Sequence, residues 1–431
     1  MGVYWIMDVR VSGSRLEGVV NAPPSKSYTH RAVAIASLGG RTRVVNPLVS
    51  DDTRSTMHVC RMLGAEVERL EDHIQIIGTH GKVTTPDNIV DVGNSGTTLR
   101  VMTAVSALAD GAVVLTGDAS IRRRPNNPLI VALNDLGADA FSTRNNGMAP
   151  LVVRGKLRGG KTFIDGSVSS QFITGLLIAC PFAEGDTEIV VRGTLKSRPY
   201  VDITLEMLKR AGVEIRVEEG VNLTFKVVGG HDLHVLEYRV PGDFSSASYL
   251  LAAGALFGEI TVNNMYPTAQ GDSAIIQILG EMGADITWNK NKGVVRVKES
   301  ELTGCVIDVG KTPDLLPTLA VLGALAEGTT TIENAKHVRY KETDRIHAMA
   351  TELTKMGAVV REEEDSLTIK GSKLHGAQLD GWDDHRIVMA LTLAGIAAGK
   401  TTISTAESVK ISYPDFFEDM KELGASIETS T

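Results

Sequence analysis

A run of alternating charges occupies the stretch VRYKETDRIHAM, where acids and bases stand close enough to act on one ligand. Lys341 and Arg345 are four residues apart, and Glu342 and Arg345 are three apart. On a solvated helix such pairs contribute only about 0.2–0.5 kcal/mol each. The spacing therefore leaves two interpretations: a plain surface helix start, or an acid held between two cations that face a bound anion. Asp344 falls off that face and is interpreted as a structural partner or helix cap.

Polar residues also stand at the starts of helices that are otherwise apolar. Helix N-termini present unpaired backbone N–H groups and about half a positive charge, which favours anions. Ser, Asn, Thr and Asp are also the commonest N-cap residues, so each of these turns taken alone is consistent with a simple cap. Cations at the ends of buried helices need counter-ions. The cations in these segments are Lys26, Arg31, Arg100, Arg124 and Arg386. Together they indicate small anionic ligands.

Composition limits the other partners of this chain. Its 431 residues carry a formal net charge of −8, and RRR at residues 122–124 is the one basic run that stands out. A nucleic-acid partner is not expected, because binding to phosphate backbones needs a basic face. No apolar run approaches the ~20 residues of a membrane span, and no signal peptide is evident. We therefore expect a cytoplasmic protein without a membrane partner.

Cysteine and histidine spacing argues against a metal site. Cys60, Cys180 and Cys305 are far apart and lie in or beside apolar segments, which predicts buried free thiols in a reducing compartment. The ten histidines show no Cys/His cluster and no helical pairing with a carboxylate. We expect no metal and no cofactor.

Two helical patterns alternate six times along the chain. In the first, an amphipathic helix ends at a glycine and a strand follows, since glycine adopts the left-handed conformation without penalty. These glycines are Gly64, Gly137, Gly212, Gly283, Gly357 and Gly424. In the second, an alanine- and leucine-rich helix is apolar nearly all round, which predicts burial. The repeats indicate an α/β fold, either as two domains of three units each or as a continuous solenoid of six.

Several motifs, taken in order, resemble those of the EPSP synthase family (3-phosphoshikimate 1-carboxyvinyltransferases). They are PPSKSYTHRA, GNSGTTLR, RRRPNNPL, SSQFITGLLIA, YKETDRIHAMATEL, DDHRIVMAL and SYPDFFEDM, and the match spans residues 9–427. The resemblance implies an α/β fold, a two-domain inverse prism of six repeated βαβαββ units, three per domain. It assigns residues 1–21 plus 241–431 to a discontinuous first domain and residues 22–240 to a second, with the active site in the interdomain cleft.

The resemblance also implies the reaction. The family transfers the enolpyruvyl group of phosphoenolpyruvate to the 5-hydroxyl of 3-phosphoshikimate and releases phosphate, on the pathway to chorismate and the aromatic amino acids. Both substrates are multiply anionic, which fits the cations above. By resemblance the 3-phosphoshikimate-binding residues are Lys26, Ser27, Arg31, Ser169, Ser170, Gln171, Ser197, Tyr200, Asp314, His337 and Lys341. The phosphoenolpyruvate-binding residues are Lys26, Gly96, Arg124, Gln171, Lys341, Arg345, His385 and Arg386. We expect a monomer, because the fold completes itself within one chain.

The implied chemistry needs two opposed proton transfers. The attacking hydroxyl loses a proton while the enol methylene gains one, and the tetrahedral intermediate then expels phosphate. The candidate catalytic residues are Asp314 as base for the hydroxyl, Glu342 as acid for the methylene carbon, and Lys26 as a stabiliser of charge. A positioned carboxylate typically contributes ~10² to 10⁴-fold in such a step. His337 stands where many members carry asparagine.

Two other functions compete with this one. UDP-N-acetylglucosamine enolpyruvyl transferases share the six-unit fold, but they usually carry Lys-Asn near the start and a cysteine in a mobile loop, whereas this chain has Lys26-Ser27 and the loop TGDASIRRRPNN. A non-catalytic anion-binding repeat protein would keep the fold without the chemistry. The joint presence of Lys26, Asp314 and Glu342 argues against the second alternative.

Overall fold

The computed structural model describes residues 7–233 and 237–430 and divides the chain into two compact units. Unit 1 comprises Met1–Pro23 and Pro241–Thr431, and unit 2 comprises Pro24–Val240. Residues 22 and 23, which the sequence assigned to the second domain, belong to unit 1. The reason is local: Ala22 N–H donates to the carbonyl of Asn263, and the Pro23 carbonyl accepts from Asp243 N–H.

Helices and strands alternate along both units. Within the described residues the α-helices are α1 (Lys26–Leu38), α2 (Asp51–Met62), α3 (Gly96–Ser106), α4 (Asn127–Asp135), α5 (Ser170–Ala179), α6 (Arg198–Arg210), α7 (Phe244–Phe257), α8 (Ala274–Glu281), α9 (Leu316–Leu325), α10 (Arg345–Lys355), α11 (His385–Ala398) and α12 (Phe416–Glu422). The strands are β1 (Asp8–Ser12), β2 (Leu16–Asn21), β3 (Arg41–Val45), β4 (Glu66–Arg69), β5 (His73–Ile77), β6 (Val90–Asp91), β7 (Ala112–Thr116), β8 (Asp139–Ser142), β9 (Leu151–Arg154), β10 (Gly160–Asp165), β11 (Thr187–Arg192), β12 (Arg216–Glu219), β13 (Leu223–Val227), β14 (Glu237–Arg239), β15 (Gly258–Asn263), β16 (Asp285–Asn289), β17 (Val294–Lys298), β18 (Val306–Asp308), β19 (Thr329–Glu333), β20 (Val359–Glu362), β21 (Leu367–Lys370), β22 (Gln378–Leu379), β23 (Thr401–Ile403) and β24 (Ser426–Ser430).

These strands form four-stranded sheets, three in each unit. The orders in unit 1 are β16-β17-β15-β2, β18-β19-β21-β20 and β22-β23-β1-β24, and those in unit 2 are β14-β3-β5-β4, β6-β7-β9-β8 and β10-β11-β13-β12. Each sheet contains one parallel pair and two antiparallel pairs. A parallel pair needs a crossover, which the apolar helices supply. The sequence β6–α3–β7–α4–β8–β9 is one complete βαβαββ unit, so the predicted repeat is confirmed.

Three of the repeats contain strands that are distant in sequence, and in one of them β1 pairs with β23 and β24. Strand β14 pairs in parallel with β3, whose own crossover helix is α1. Strand β2 pairs in parallel with β15, which follows α7. The chain therefore leaves unit 1 after the first strand of one repeat, builds unit 2, and returns to finish that repeat. Two units of three repeats each replace the solenoid that periodicity alone allowed.

The two predicted helix classes are both present. In α11 every residue from His385 to Ile396 is buried, and α7, α9 and α11 pack against one another in unit 1. In unit 2, α3 packs against α1 and α5. The predicted glycine stops all have positive φ, for example +97° at Gly137 and +91° at Gly357. Helix α10, which ends at such a stop, is amphipathic.

The cysteines of the chain are free thiols. Cys60 and Cys180 are buried free thiols, as predicted, and burial raises their pKa values to about 11 and about 12. Cys305 is also free but only half-buried. Across residues 7–233 and 237–430, no helix has the length and apolar character needed to cross a membrane.

Candidate active site

The charged run of the opening motif precedes a helix rather than lying on one. Helix α10 begins at Arg345, and Asp344 caps it by accepting from His347 N–H at 3.1 Å. Asp344 is therefore the cap that the sequence predicted. Lys341 and Glu342 lie in the turn before the helix, so the helical spacing assumed from the sequence was wrong. The pair between Glu342 Oε2 and Arg345 Nη2 nevertheless forms, at 2.6 Å.

Arg345 is the centre of a cluster of carboxylates in unit 1, the Arg345 cluster. Its side chain is 1% exposed, and it donates from Nε to Asp384 Oδ2 at 2.8 Å and from Nη1 to Asp314 Oδ1 at 2.8 Å. Glu342 is the third carboxylate. Burial lowers the pKa of Arg345, but the three negative charges outweigh burial and raise it overall. The guanidinium is therefore permanently charged and ties together three chain segments.

Asp314 receives donors from two further cations. It lies in the 3-10 turn Pro313–Leu315 just before α9. Arg386 Nη2 donates to Asp314 Oδ2 at 3.2 Å, and Lys341 Nζ lies 3.4 Å from Asp314 Oδ1. Burial lowers the pKa of Lys341, while the charge of Asp314 opposes that effect. A carboxylate among three cations favours the ionised form that a general base requires.

The start of α11 is fixed by two carboxylates that the sequence analysis did not assign. Asp384 is fully buried and caps the helix, accepting from Arg386 N–H at 2.9 Å while it binds Arg345. Glu352 on α10 is also buried and accepts from Asp380 N–H and from Trp382 Nε1. Trp382 has φ of +58°, a left-handed conformation that costs energy in a bulky residue. The aspartate before His385 was the available sequence signal, whereas Glu352 gave none.

Two histidines predicted to bind substrate are buried in unit 1. His385 begins α11, and its Nδ1 lies 3.8 Å from Asp384 Oδ1. His337 lies in the 3-10 turn Lys336–Tyr340, which packs against the turn that carries Asp314. The structure thus brings both histidines near the Arg345 cluster.

A further acid of unit 1 is electrostatically linked to Asp314. Asp272 is 3% exposed, and its carboxylate accepts from the hydroxyl of Ser245, at the start of α7. Burial and the negative charge of Asp314 raise the pKa of Asp272 to about 6, while Arg386 opposes the shift. Asp272 was not predicted from the sequence, because nothing local separates it from a surface aspartate.

The predicted residues of unit 2 gather at the starts of its helices. Lys26 is the first residue of α1, and its Nζ lies 3.1 Å from Asp52 Oδ2 on α2. Arg31, one turn further along α1, donates to the carbonyls of Ser27 and Tyr200, each at 2.8 Å. Burial lowers the pKa of Arg31 to about 10, which still leaves it charged at neutral pH.

Helices α5 and α6 bring other predicted residues to α1. Arg31 also donates to the hydroxyls of Thr204 on α6 and Thr174 on α5. Ser197, just before α6, has φ of +55° and is largely buried. Tyr200 is joined to α1 through its carbonyl oxygen. The start of α6 is thereby fixed against the helix that carries Lys26.

Arg100 orients the start of α5. Its Nη1 donates to Gln171 Oε1 at 2.7 Å and to Ser169 Oγ at 3.3 Å, and its guanidinium lies 5.0 Å from the ring centre of Phe172. Ser169 caps α5 by accepting from Gln171 N–H, and Ser170 is buried beside it. Arg100 thus holds two predicted substrate-binding side chains.

The remaining predicted cation of unit 2 lies against the start of α3. Arg124 Nη2 donates to Asn94 Oδ1 and to Ser120 Oγ, both at 3.1 Å. A methyl group added at Gly96 would come within 2.5 Å of Arg124 Nη1. Glycine at this position is therefore required for the guanidinium to approach the helix N-terminus. A guanidinium beside unpaired backbone N–H groups is suited to a phosphate or carboxylate.

Within residues 7–233 and 237–430, no three His, Cys, Asp or Glu side chains lie together in a way that could hold a metal ion. The clusters instead offer guanidinium, ammonium, hydroxyl and amide donors with a few carboxylates. This donor set can bind multiply charged anions and move protons.

Sequence comparison identifies the proteins to which this chain is similar. Residues 11–420 match the family model described as EPSP synthase (3-phosphoshikimate 1-carboxyvinyltransferase). A relative in Methanothrix thermoacetophila is 60% identical over 425 residues, covering 99% of this chain and 100% of the relative. Another, in Methanococcoides burtonii, is 57% identical over 422 residues, covering 98% and 99%. Both are named 3-phosphoshikimate 1-carboxyvinyltransferase.

The fold is similar to that of solved structures. An EPSP synthase from Acinetobacter baumannii, solved at 2.37 Å, superposes with a TM-score of 0.83 at 28% identity, covering 99% of this chain and all of the other. The enolpyruvyl transferase NikO from Streptomyces tendae superposes with a TM-score of 0.78 at 19% identity, which shows the shared fold.

Proposed function

The chain belongs to the EPSP synthase family. From this premise we propose that the Arg345 cluster of unit 1 and the polar residues at the helix starts of unit 2 act together on one pair of substrates. Its reaction is the transfer of the enolpyruvyl group of phosphoenolpyruvate to the 5-hydroxyl of 3-phosphoshikimate, with release of phosphate. The proposal goes further than family membership, because it gives each named side chain a role.

One observation carries the proposal: Asp314 and Glu342 both bind Arg345. Asp314 Oδ1 lies 2.8 Å from Nη1, and Glu342 Oε2 lies 2.6 Å from Nη2. One guanidinium therefore holds two carboxylates side by side, which is the arrangement that two opposed proton transfers need. When the anionic groups of phosphoenolpyruvate bind Arg345 and Arg386, they compete with these carboxylates and free them to exchange protons.

The proton transfers then balance. Asp314 takes the proton of the 5-hydroxyl as its oxygen attacks the enol carbon, and Glu342 gives a proton to the methylene carbon. In the second step Glu342 takes a proton back from the resulting methyl group while the carbon–oxygen bond to phosphate breaks, and Asp314 passes the hydroxyl proton to the departing phosphate. Lys26 and Lys341 stabilise the charge that develops on the phosphate and the intermediate.

Substrate binding is assigned from the same clusters. In the proposal, 3-phosphoshikimate binds the starts of α1, α5 and α6 in unit 2 and the turns near Asp314 in unit 1. The side chains are Lys26, Ser27, Arg31, Ser169, Ser170, Gln171, Ser197, Tyr200, Asp314, His337 and Lys341. Phosphoenolpyruvate binds cations and helix N-termini of each unit. Its residues are Lys26, Gly96, Arg124, Gln171, Lys341, Arg345, His385 and Arg386.

The experiment that tests the function is phosphate release by the purified chain. The complete mixture of 3-phosphoshikimate and phosphoenolpyruvate should release phosphate, and each mixture that lacks one substrate should not. UDP-N-acetylglucosamine replaces 3-phosphoshikimate in a parallel reaction. Release that requires UDP-N-acetylglucosamine would select the other enolpyruvyl transferase, and binding of both anions without release would indicate a non-catalytic protein.

We also propose that the enzyme works as a cytoplasmic monomer. The reducing compartment is supported by three free thiols, two of them buried. Each sheet of both units takes all four strands from this chain, which supports a monomer. Light scattering during gel filtration should give the 46.1 kDa of one chain, and twice that mass would contradict the monomer.

A further inference from the structure

A chain of buried hydrogen bonds crosses three helices of unit 2 at His30, a residue that the proposed function does not use. His30 Nδ1 lies 2.7 Å from the hydroxyl of Thr56, and that hydroxyl lies 2.6 Å from the hydroxyl of Thr98. The Thr98 hydroxyl lies 2.6 Å from Ser95 Oγ. At the other end, His30 Nε2 lies 3.8 Å from Asp52 Oδ2, which in turn pairs with Lys26.

The protonation of His30 decides how these groups can be satisfied. Burial lowers the pKa of His30, while Asp52 opposes the shift and the cations Lys26 and Arg31 reinforce it. The ring is therefore neutral at pH 7 and carries one proton. Asp52 on α2, with Lys26 and Arg31 on α1, supplies the charges around the ring.

The charge of Asp52 favours one tautomer of the ring, because Nε2 faces that carboxylate at 3.8 Å. With the proton on Nε2, that nitrogen faces the Asp52 carboxylate beyond hydrogen-bond distance as an electrostatic contact, and Nδ1 accepts from the hydroxyl of Thr56. Thr56 then accepts from Thr98, and Thr98 accepts from Ser95, whose oxygen accepts from Thr98 N–H at 3.3 Å. The other tautomer would place a lone pair against the carboxylate.

The ends of this chain are both in the proposed substrate site. Lys26 begins α1, and Ser95 caps α3 immediately before Gly96. We propose that His30 is a positioning residue. Together with Thr56 and Thr98 it fixes the position of Lys26 relative to Gly96, the first residue of α3, so that both can contact phosphoenolpyruvate. The inference rests on the proposed function for its ligand, whereas the polarity of the hydrogen bonds is a property of the protein alone.

The first test is the tautomer of His30, which does not depend on activity. In protein labelled with ¹⁵N-histidine, the ring nitrogens of His30 should show the neutral form with the proton on Nε2 at pH 7, and His30→Gln identifies the signals. A proton on Nδ1, or a charged ring at pH 7, would overturn the proposed chain. This result stands even if the wild-type chain were found not to release phosphate, which would contradict the proposed function instead.

The second test cuts the chain with a variant that keeps the shape of the core. Thr56→Val removes the central hydroxyl and should raise the KM for phosphoenolpyruvate by about tenfold, with a smaller change in kcat. The matched control is Thr103→Val on α3, whose buried hydroxyl donates to the carbonyl of Leu99 in its own helix. It should leave that KM within about twofold. If the two variants raised the KM equally, the hydrogen bonds from His30 to Ser95 would contribute no more than ordinary core packing.

A pair of substitutions at His30 tests polarity directly. His30→Gln keeps an acceptor for Thr56 and a donor for Asp52, so its KM for phosphoenolpyruvate should stay close to that of the wild type. His30→Leu offers neither and should match Thr56→Val. If Gln and Leu raised the KM equally, polarity would not be what His30 contributes. Should His30→Leu fail to fold, the comparison of Thr56→Val with His30→Gln decides the same question.

Discussion

The two units hold their buried cations in different ways. In unit 2, Arg31, Arg100 and Arg124 donate to hydroxyl, amide and carbonyl oxygens. In unit 1, Arg345 and Arg386 donate to carboxylates. Hydroxyl and amide oxygens orient a guanidinium without neutralising it, whereas a carboxylate cancels its charge. The contacts described for Arg31, Arg100 and Arg124 therefore orient their charges, whereas those described for Arg345 and Arg386 also balance them.

This contrast assigns different work to the two units. A cation that keeps its charge contributes to binding in the ground state and in the transition state alike, so its loss should appear in KM. A carboxylate that exchanges a proton contributes in the transition state, so its loss should appear in kcat. Substitutions of the unit 1 carboxylates should therefore lower turnover, and substitutions that displace the unit 2 arginines should weaken substrate binding.

The largest effect is expected for Asp314→Asn in unit 1. The amide keeps the shape of the side chain but is not basic, so kcat should fall by about 10³-fold while 3-phosphoshikimate still binds. Phosphate release measures kcat, and calorimetric titration measures binding. The control Asp308→Asn alters a carboxylate that accepts from Gly310 N–H in the same unit and should leave kcat near that of the wild type. Turnover within tenfold of the wild type would remove Asp314 from the chemistry.

Glu342→Gln should have the next largest effect. Glutamine can still accept a hydrogen bond from Arg345 but cannot protonate carbon, so kcat should fall by about 10²-fold. In D₂O the variant should also lose the transfer of solvent deuterium to the methylene group of phosphoenolpyruvate. Glu333→Gln, at the exposed end of β19, is the control. Normal deuterium transfer in Glu342→Gln would assign the acid to another residue.

In unit 2 the contrast predicts a change in KM without a large change in kcat. In Gly96→Ala the new methyl group would lie 2.5 Å from Arg124 Nη1, so the guanidinium must move. It is the end of a flexible side chain, so the fold should tolerate the shift while the KM for phosphoenolpyruvate rises by about tenfold. Gly220→Ala is the control, because a methyl group there meets open space. If the KM for phosphoenolpyruvate rose equally in both variants, or did not rise in Gly96→Ala, the proposal that Arg124 binds phosphoenolpyruvate would be contradicted.

The repeated unit could be predicted from the sequence because the residues that indicate it are close together in the chain. Glycine after an amphipathic helix and an apolar helix after a strand recur within each unit, and positive φ at Gly64 and Gly424 shows why glycine is needed. The pairing of β14 with β3 had no such signal, since it joins residues that are almost two hundred positions apart. Long-range partners follow from packing and cannot be read from periodicity.

The same distinction separates the predicted and missed parts of the site. Glu342 was found because it is three residues from Arg345, and the pair forms although the helix begins later than assumed. Asp314 and Asp384 reach Arg345 from 31 and 39 residues away. Motif resemblance supplied Asp314, but neither spacing nor motif assigned a partner to Asp384. Its role follows from the fold.

The smallest effect on turnover is expected for Asp272→Asn, which instead tests the charge balance of unit 1 through stability. Burial and the charge of Asp314 raise the pKa of Asp272 from 3.8 to about 6 on folding. The folded state then keeps a proton that the unfolded state releases between these values, so this group lowers stability as pH rises from about 4 to 6. The variant lacks that loss, and its unfolding free energy relative to the wild type should increase by ~2 kcal/mol from pH 4 to pH 7. Urea unfolding at both pH values measures the difference, with Asp285→Asn on the exposed strand β16 as control. A difference that does not change with pH would mean that folding does not raise the pKa of Asp272, and that the charge of Asp314 does not act on it.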